Sequence, residues 1–351
     1  MFFRRGLLAF FLFAISSQTA WSASGTEGAS FLDIPVGGAP AALGSAYTAQ
    51  ANDAYAPVWN PAGLGFLHSA EFTGMHLNYI TPVSYEHAGL VVPLGKSDES
   101  ESRPAGLGAS IQYLGANNLD ARDELGQPNG SFSASFAAYS LAYGHKMSDT
   151  LALGATAKMI TEKISDATAK AYASDLGLLY KPTSKLSVGA VAANIGSSVK
   201  FVNESDPLPL AGRLGATYQL RPQWDVSAEG VYRKTGLVSG SMGIEWRYGD
   251  MFSFRGGYNT AHTKELGAAS GVTAGAGLFF WGQEFSYAWV PMGDLGQTHY
   301  FSLVLRWSTK PRPERPRLKP SEDREFDDFK DPSKYHDIYD FLNDDERKSI
   351  K

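Results

Sequence analysis

Between Glu71 and Trp307 the sequence alternates apolar and polar residues along one strand-length stretch after another, and this limits the region to β-structure. Successive side chains of a strand point to opposite faces, so a period of two separates an apolar face from a polar face. Residues 240–248 are a clear case: one face carries Met242, Ile244, Trp246 and Tyr248, and the other carries Gly243, Glu245 and Arg247. Residues 224–233 and 298–307 follow the same rule.

About fourteen such stretches follow one another, separated by turn residues. Many are close to the roughly 9–11 residues that a tilted strand needs to cross a membrane. They lie near residues 71–80, 85–94, 104–114, 131–145, 151–164, 171–181, 186–195, 209–220, 224–233, 240–248, 251–259, 271–280, 283–290 and 298–307.

Two features favour a transmembrane barrel over a soluble β-sandwich, which would alternate in the same way. Aromatic residues cluster near strand ends, as in an interfacial girdle, in a chain with 13% aromatic residues and 37 glycines. The connections also alternate in length: those at 147–150, 182–185, 221–223, 249–250 and 281–282 are tight, whereas those at 115–130, 196–208 and 260–270 are longer and polar.

Short periplasmic turns and longer outer loops are typical of outer-membrane barrels, with the charged link 96–102 as an exception on the short side. An even number of strands places both barrel ends in the periplasm, the side from which an N-terminal segment would enter. We therefore expect an all-β, transmembrane antiparallel β-barrel of about 14 strands over residues 71–307.

Residues 1–22 predict a secretory signal peptide. Arg4 and Arg5 precede an apolar run, Gly6–Ile15, that is too short to span a bilayer, and small residues allow cleavage near Ser22 or Ala23. The sequence contains no cysteine, which excludes disulfides and thiolate metal sites and is compatible with a Gram-negative envelope. The net charge of -5 gives no basic surface for nucleic acid.

Residues 31–66 read as neither strand nor turn. A run of small residues has helical spacing at Ala42, Ala46 and Ala49, and the segment ends in the sequence Trp59-Asn60-Pro61-Ala62-Gly63-Leu64. Asn60 can bond nearby backbone groups and cap a turn, and Pro61 fixes φ at the first position of a short helix through Leu64. These residues either shape the segment or contact a ligand directly.

No pattern in the sequence predicts catalysis or a cofactor. Seven histidines are scattered without metal-ligand spacing, and no nucleophile elbow, phosphate loop or dinucleotide motif occurs. The polar face of the strands carries charges that form either ion-pair ladders or paired carboxylates, and ladders are commoner in narrow barrels. These residues are Lys158, Glu162, Asp175, Arg213, Glu229, Arg233, Glu245, Arg247 and Arg255. We expect no enzyme, no cofactor and no metal.

Residues 308–351 differ in character from the strands. A basic, proline-rich spacer at 310–320 leads into an acidic stretch, and we expect this tail to lie in the periplasm. The apolar side chains Tyr335, Ile338, Tyr339 and Leu342 follow helical spacing after Asp331-Pro332. The tail is either a solvated chain or a short amphipathic helix that docks a periplasmic partner.

Two motifs resemble a known family. The first is the stretch from Phe31 that ends in Asn60, Pro61, Ala62 and Gly63, and the second is the sequence Tyr287 to His299 around Pro291, Gly293, Asp294, Leu295 and Gly296. Together they resemble the PorV/PorQ family, which is itself similar to the FadL-type hydrophobic-substrate channels. The chain departs from the pattern in three ways. Its loops are shorter than those of a FadL-type channel, Gly38 stands where the family often has arginine, and it has a charged tail.

The resemblance implies a fourteen-stranded outer-membrane barrel whose N-terminal segment, residues 23–70, folds into the lumen as a hatch. A PorV/PorQ-like protein would be a non-enzymatic component of protein export, similar to type IX secretion, with secretion proteins or exported cargo as partners. A FadL-like protein would instead be a channel for hydrophobic small molecules such as fatty acids, which leave through the wall or past the hatch. A purely structural barrel in contact with outer-membrane lipid is the third alternative.

Overall fold

The computed structural model describes residues 27–80, 82–94, 105–123, 125–201, 204–261 and 263–307. Fourteen antiparallel strands form a closed barrel, in which each strand pairs with its sequence neighbours and the first strand pairs with the last. A separate two-stranded hairpin, β8–β9, lies between β7 and β10. The fourteen-stranded, all-β fold predicted from the alternation is confirmed.

The fourteen barrel strands agree in number and order with the prediction, and most of their bounds differ by a few residues. Together with β8 and β9 of the hairpin, the described residues form sixteen strands. They are β1 (Ala70–Asn78), β2 (Val83–Leu94), β3 (Ala105–Arg122), β4 (Pro128–Lys146), β5 (Leu151–Ile164), β6 (Ala167–Tyr180), β7 (Leu186–Gly196), β8 (Val199–Phe201), β9 (Glu204–Asp206), β10 (Ala211–Arg221), β11 (Trp224–Arg233), β12 (Val238–Tyr248), β13 (Phe252–Asn259), β14 (Val272–Phe280), β15 (Gln283–Pro291) and β16 (Gln297–Trp307).

Two expected loops are partly strand. The prediction of a polar loop over 115–130 is wrong for most of its length, because β3 and β4 continue pairing up to Arg122 and Pro128. The 196–208 connection contains the β8–β9 hairpin. We call the end of the barrel with these connections the long-loop end and the opposite end the short-turn end.

The two faces of the sheet are chemically opposite. Side chains on the exposed face are large and apolar, such as Leu141 and Met242, which are 63% and 69% exposed. Those on the inward face are small or polar, and Glu245 and Lys158 are buried there. An apolar outer surface of this extent suits contact with lipid, as the alternation predicts.

Residues 27–69, here called the inner segment, precede β1. They contain two short α-helices, α1 (Gly38–Ala42) and α2 (Ala56–Trp59), and two 3₁₀ helices, Ser30–Asp33 and Pro61–Phe66. The helical spacing of Ala42, Ala46 and Ala49 does not give a long helix. The helix ends at Ala42 because Gly44 and Ser45 adopt left-handed conformations, with φ of 64° and 70°.

The buried core lies between the inner segment and the barrel wall. Tyr47 packs edge-on against both Tyr55 and Trp59, with ring centroids 6.3 and 5.8 Å apart. The Trp59 indole nitrogen donates to the Val36 carbonyl at 2.9 Å, so its one polar group is satisfied in the core. In the part of the chain that the structure describes, no helix is long and apolar enough to cross a membrane.

Candidate functional site

Asn60 holds the end of the inner segment in place. Its Oδ1 accepts from the Ala62 amide at 3.1 Å and caps the 3₁₀ helix that Pro61 begins. Its Nδ2 donates to the carbonyls of Thr48 and, on β6, Leu178, at 2.9 and 3.1 Å. Because the side chain is fully buried, these three bonds use the polar groups that burial would otherwise leave unpaired.

A row of glycines in the wall receives this helix. Gly106, Gly144, Gly154 and Gly177 are direct cross-strand partners on β3, β4, β5 and β6. A Cβ on any of them would overlap atoms between Asn60 and Leu64. This glycine row was not recognised in the sequence, where the glycines only looked scattered among the strands.

Similar glycines continue along the wall beneath the rest of the inner segment. Gly189 and Gly215 pair across β7 and β10 beneath Thr48, and Gly243 and Gly257 pair across β12 and β13 beneath Leu43 and Gly44. The inner segment therefore follows the inward face around the barrel rather than crossing it once.

Barrel side chains bind the backbone of the inner segment at many points. Glu229 Oε2 accepts from the amides of Tyr47 and Thr48 at 3.0 and 2.9 Å. Further bonds join Glu71 to the Ala54 amide, Ser302 to the Gly38 amide, Thr273 to the Ala42 carbonyl, Asn259 to the Gly44 carbonyl, Ser187 to the Ala49 carbonyl and Thr156 to the Pro57 carbonyl. At roughly 0.5–1.5 kcal/mol each, such bonds together hold the segment firmly.

A charged ladder closes the short-turn end on the β12–β1 side. It consists of Glu71, Arg306, Glu284, Arg255, Glu245 and Arg247, on strands β1, β16, β15, β13 and β12. Arg255 bridges Glu245 and Glu284 at 2.7 and 2.8 Å. It reaches across β14 because Gly277 has no side chain there: an added Cβ would lie 2.9 Å from Arg255 Nη1. The expected ion-pair ladder is confirmed for this part of the inward face.

The other predicted inward charges form separate contacts. Lys158 pairs with Asp175 at 2.6 Å and donates to Asn194 Oδ1 at 2.9 Å. Arg233 pairs with Asp33 of the inner segment, and Arg213 lies over the Trp59 ring at 5.2 Å. The last two contacts link charges of the wall to the inner segment, which the sequence could not indicate.

Asp53 is the buried acid of the inner segment. Tyr47 OH donates to its Oδ2 and the Tyr55 amide donates to its Oδ1 at 3.0 Å. Burial raises the pKa of Asp53, although these donors and the charge of Arg306 act in the opposite direction. Burial also raises the pKa of Tyr47 well above its usual value.

A cavity of about 650 Å³ lies at the long-loop half of the lumen, beside the inner segment. Its apolar side includes Phe31, Leu32, Ile34, Val36 and Trp59 of the inner segment with Tyr79, Val83, Leu114, Phe136 and Tyr300 of the barrel. Its polar side includes Arg213, Glu229, Arg233, Ser239, Ser241, Asn259 and Thr273. A volume of this size is within the usual range for small-molecule pockets.

The two sequence motifs lie at different places. Pro291 and Met292 line the cavity at the long-loop end, and Gly293 approaches Leu266 of α3 (Thr263–Leu266), where an added Cβ would lie 2.5 Å from the Leu266 carbonyl. Asp294, Leu295 and Gly296 complete the turn to β16. Asn60, Pro61, Ala62 and Gly63 lie on the glycine row instead. The structure does not bring the two motifs together.

The start of the described chain lies at the long-loop end. The Gly28 amide donates to the Pro207 carbonyl at 2.9 Å, beside the β8–β9 hairpin. The first and last strands do share one end of the barrel, as an even strand number requires. The inner segment therefore runs from the long-loop end down to β1, and is not confined to the side from which it was expected to enter.

Some predictions fall outside the described residues. The signal peptide 1–22, the charged link 96–102, His262 and the tail with Tyr335, Ile338, Tyr339 and Leu342 are among them. In the described part of the chain, no group of three or more histidine, aspartate or glutamate residues could hold a metal ion.

No protein-family model and no curated protein matches the sequence. Solved structures do match. The CymD monoaromatic hydrocarbon channel is 14% identical, with a TM-score of 0.53, over 77% of this chain and 96% of that one. The P. putida toluene transporter TodX is 12% identical, with a TM-score of 0.52, over 78% of this chain and 99% of that one.

A P. aeruginosa FadL homologue aligns with a TM-score of 0.49 at 11% identity, over 76% of this chain and 97% of that one. At these identities the likeness to CymD and TodX shows the fold alone: this chain has the fold of those two hydrocarbon transport proteins. A role in protein export, and partners for it, stay predictions from the sequence motifs.

Proposed function

We propose that this protein is an outer-membrane channel for hydrophobic small molecules, similar to the FadL type. The observation that carries the proposal is the cavity of about 650 Å³ beside the inner segment, largely lined by apolar side chains although it lies in a lumen with charged walls. An apolar pocket with a few polar groups binds small molecules from water by removing apolar surface from solvent.

The fold supports the same proposal. CymD is described as a monoaromatic hydrocarbon channel and TodX as a toluene transporter, and both share this barrel. The apolar outward face suits an outer membrane. We regard the inner segment as the hatch of this channel, with Asn60, Pro61, Ala62 and Gly63 as the part that fixes its lower end.

The short-turn end is an unfavourable exit for an apolar ligand. The charged ladder closes one side of it, and the helix Pro61–Phe66 occupies the other side against the glycine row. An apolar molecule would have to displace buried charges or break the bonds of the inner segment, and each of these costs several kcal/mol.

We therefore favour exit through the wall over exit past the hatch. The β6–β7 pairing is irregular between Ser174 and Leu176, opposite Asn194 with φ of 62°. Just below this irregularity lies a depression that Leu176, Leu178, Ala190 and Ala192 share with Arg213. We take this depression, next to the irregular pairing, as the place where a ligand would pass through the wall to the lipid.

Uptake tests the proposal. Val231 lines the cavity, so Val231→Trp fills it, whereas Val226→Trp places the same side chain on the outward face of the same strand. We expect a deletion strain to take up at least one compound of a labelled hydrophobic panel (aromatic hydrocarbons, aromatic alcohols and fatty acids) more slowly, and Val226→Trp but not Val231→Trp to restore the rate. Equal uptake by the deletion and parent strains for every hydrophobic compound would refute the proposal.

A further inference from the structure

The cavity has two walls of different chemistry. The β1–β4 side of the barrel, including the β1–β2 turn, supplies Tyr79, Val83, Leu114 and Phe136, whereas most of the polar residues of the wall come from β10 to β14. These two groups of strands lie on opposite sides of the closed barrel. A bound molecule would therefore meet an apolar surface along one side and hydrogen-bonding groups along the other.

The cavity lining as a whole has no surplus positive charge. The described lining residues include two arginines, Arg213 and Arg233, and three carboxylates, Asp33, Glu162 and Glu229. Arg233 is already paired with Asp33, and Arg213 acts electrostatically on Glu229. Of the two arginines only Arg233 is in a salt bridge. A ligand carboxylate would still be the fourth carboxylate in a lining that holds two cations, which is unfavourable in a partly desolvated site.

Hydroxyl groups remain for an uncharged ligand. Thr273 and Asn259 are occupied by the Ala42 and Gly44 carbonyls of the inner segment. Ser239 and Ser241 lie beside them on the inward face of β12 and make no side-chain hydrogen bond to another described residue. Each hydroxyl can donate one bond and accept two.

We infer that the ligand is an uncharged amphipathic molecule, with an apolar body and one polar edge bearing hydroxyl or carbonyl groups, rather than a plain hydrocarbon or a fatty-acid anion. The apolar body packs against β1 to β4, and the polar edge bonds to Ser239 and Ser241. This inference rests on the proposed function and narrows its substrate class.

Three naphthalenes of similar size test it: 1-naphthol, 1-methylnaphthalene and 1-naphthoate. Binding is measured by equilibrium dialysis against the full-length protein in lipid nanodiscs, and uptake by empty nanodiscs is subtracted. We expect naphthol to bind about fivefold more tightly than methylnaphthalene, as one net hydrogen bond would give, and naphthoate to bind most weakly. The double variant Ser239→Ala/Ser241→Ala should remove the advantage of naphthol and leave methylnaphthalene unchanged.

Ser253→Ala is the matched control, because Ser253 is an inward-facing, buried serine on β13 that does not line the cavity. Tightest binding of naphthoate, or equal binding of naphthol and methylnaphthalene, would overturn the inference and leave the proposed channel intact. No saturable binding of any of the three would count against both.

Discussion

The glycine row makes a prediction about how tightly the inner segment is held. In Gly154→Ala, the new methyl group would overlap the carbonyl carbon of Pro61 and the amide nitrogen of Ala62. Both lie in backbone that Asn60 ties to β6, so the segment cannot move aside without straining those bonds. Such overpacking typically costs about 1–3 kcal/mol.

Only the docked state contains this clash, so its cost shifts the equilibrium toward the undocked segment. Since about 1.4 kcal/mol is a factor of ten, the undocked population should rise roughly 5- to 150-fold. Hydrogen exchange measured by mass spectrometry, on a peptide covering 56–66 in lipid nanodiscs, reports this population directly.

Gly230→Ala is the control, because Gly230 is also a strand glycine and a Cβ there would have no neighbour within 4 Å. It should exchange at the parent rate over the same peptide. If Gly154→Ala exchanges no faster than Gly230→Ala, the glycine row does not hold the inner segment.

Three further predictions concern the polar contacts. Arg255→Met leaves Glu245 and Glu284 buried without their shared cation, so the free energy of unfolding in urea should fall by about 3–5 kcal/mol. Arg221→Met, at the exposed end of β10, should change it little. An unchanged urea midpoint would contradict the claim that the charged ladder stabilises the barrel. Asn60→Ala removes three buried hydrogen bonds, worth about 3 kcal/mol, and should raise pore conductance in planar bilayers; parent-like conductance would show that Asn60 does not secure the closed state. Burial raises the pKa of Asp53, so its favourable contribution is fully present below the unfolded value of about 3.9 and is lost as pH rises through the folded pKa. Docking of the inner segment should therefore weaken as the pH rises from the unfolded pKa of Asp53 through its folded pKa. Asp53→Asn should flatten the pH profile of hydrogen exchange, and identical profiles for the parent and the variant would refute the role of Asp53.

The sequence predicted the barrel well because strand alternation is a local property. Each side chain of β12 faces inward or outward by position alone, so Glu245 and Trp246 could be assigned to opposite faces from the sequence. Turn residues predicted most strand ends. They failed at β3 and β4, where pairing continues into a polar stretch that reads as a loop.

The part of the barrel wall against which the inner segment packs could not be predicted in the same way. Whether Gly106, Gly144, Gly154 and Gly177 stand side by side depends on the register between four strands, and alternation alone leaves that register open. A search for inward-facing glycines at matching heights would have found the row once the pairing was known. The sequence predicted Asn60 as a cap, but its bond to Leu178 joins two residues that are 118 positions apart along the chain.

The bonds of the inner segment also join the beginning of the chain to its end. Gly38 and Ser302, which share a hydrogen bond, are 264 residues apart, and Ala42 and Thr273 are 231 apart. Contacts over such separations form late and slowly, because long stretches of chain must be ordered first.

Synthesis reaches β16 last, and β16 must pair with β1 to complete the wall. Until then the Gly38 amide has no Ser302 hydroxyl to bond, and the inner segment lacks part of the wall against which it packs. A fully docked inner segment can therefore exist only in a finished barrel, so the inner segment takes its final position in the same step that completes the wall.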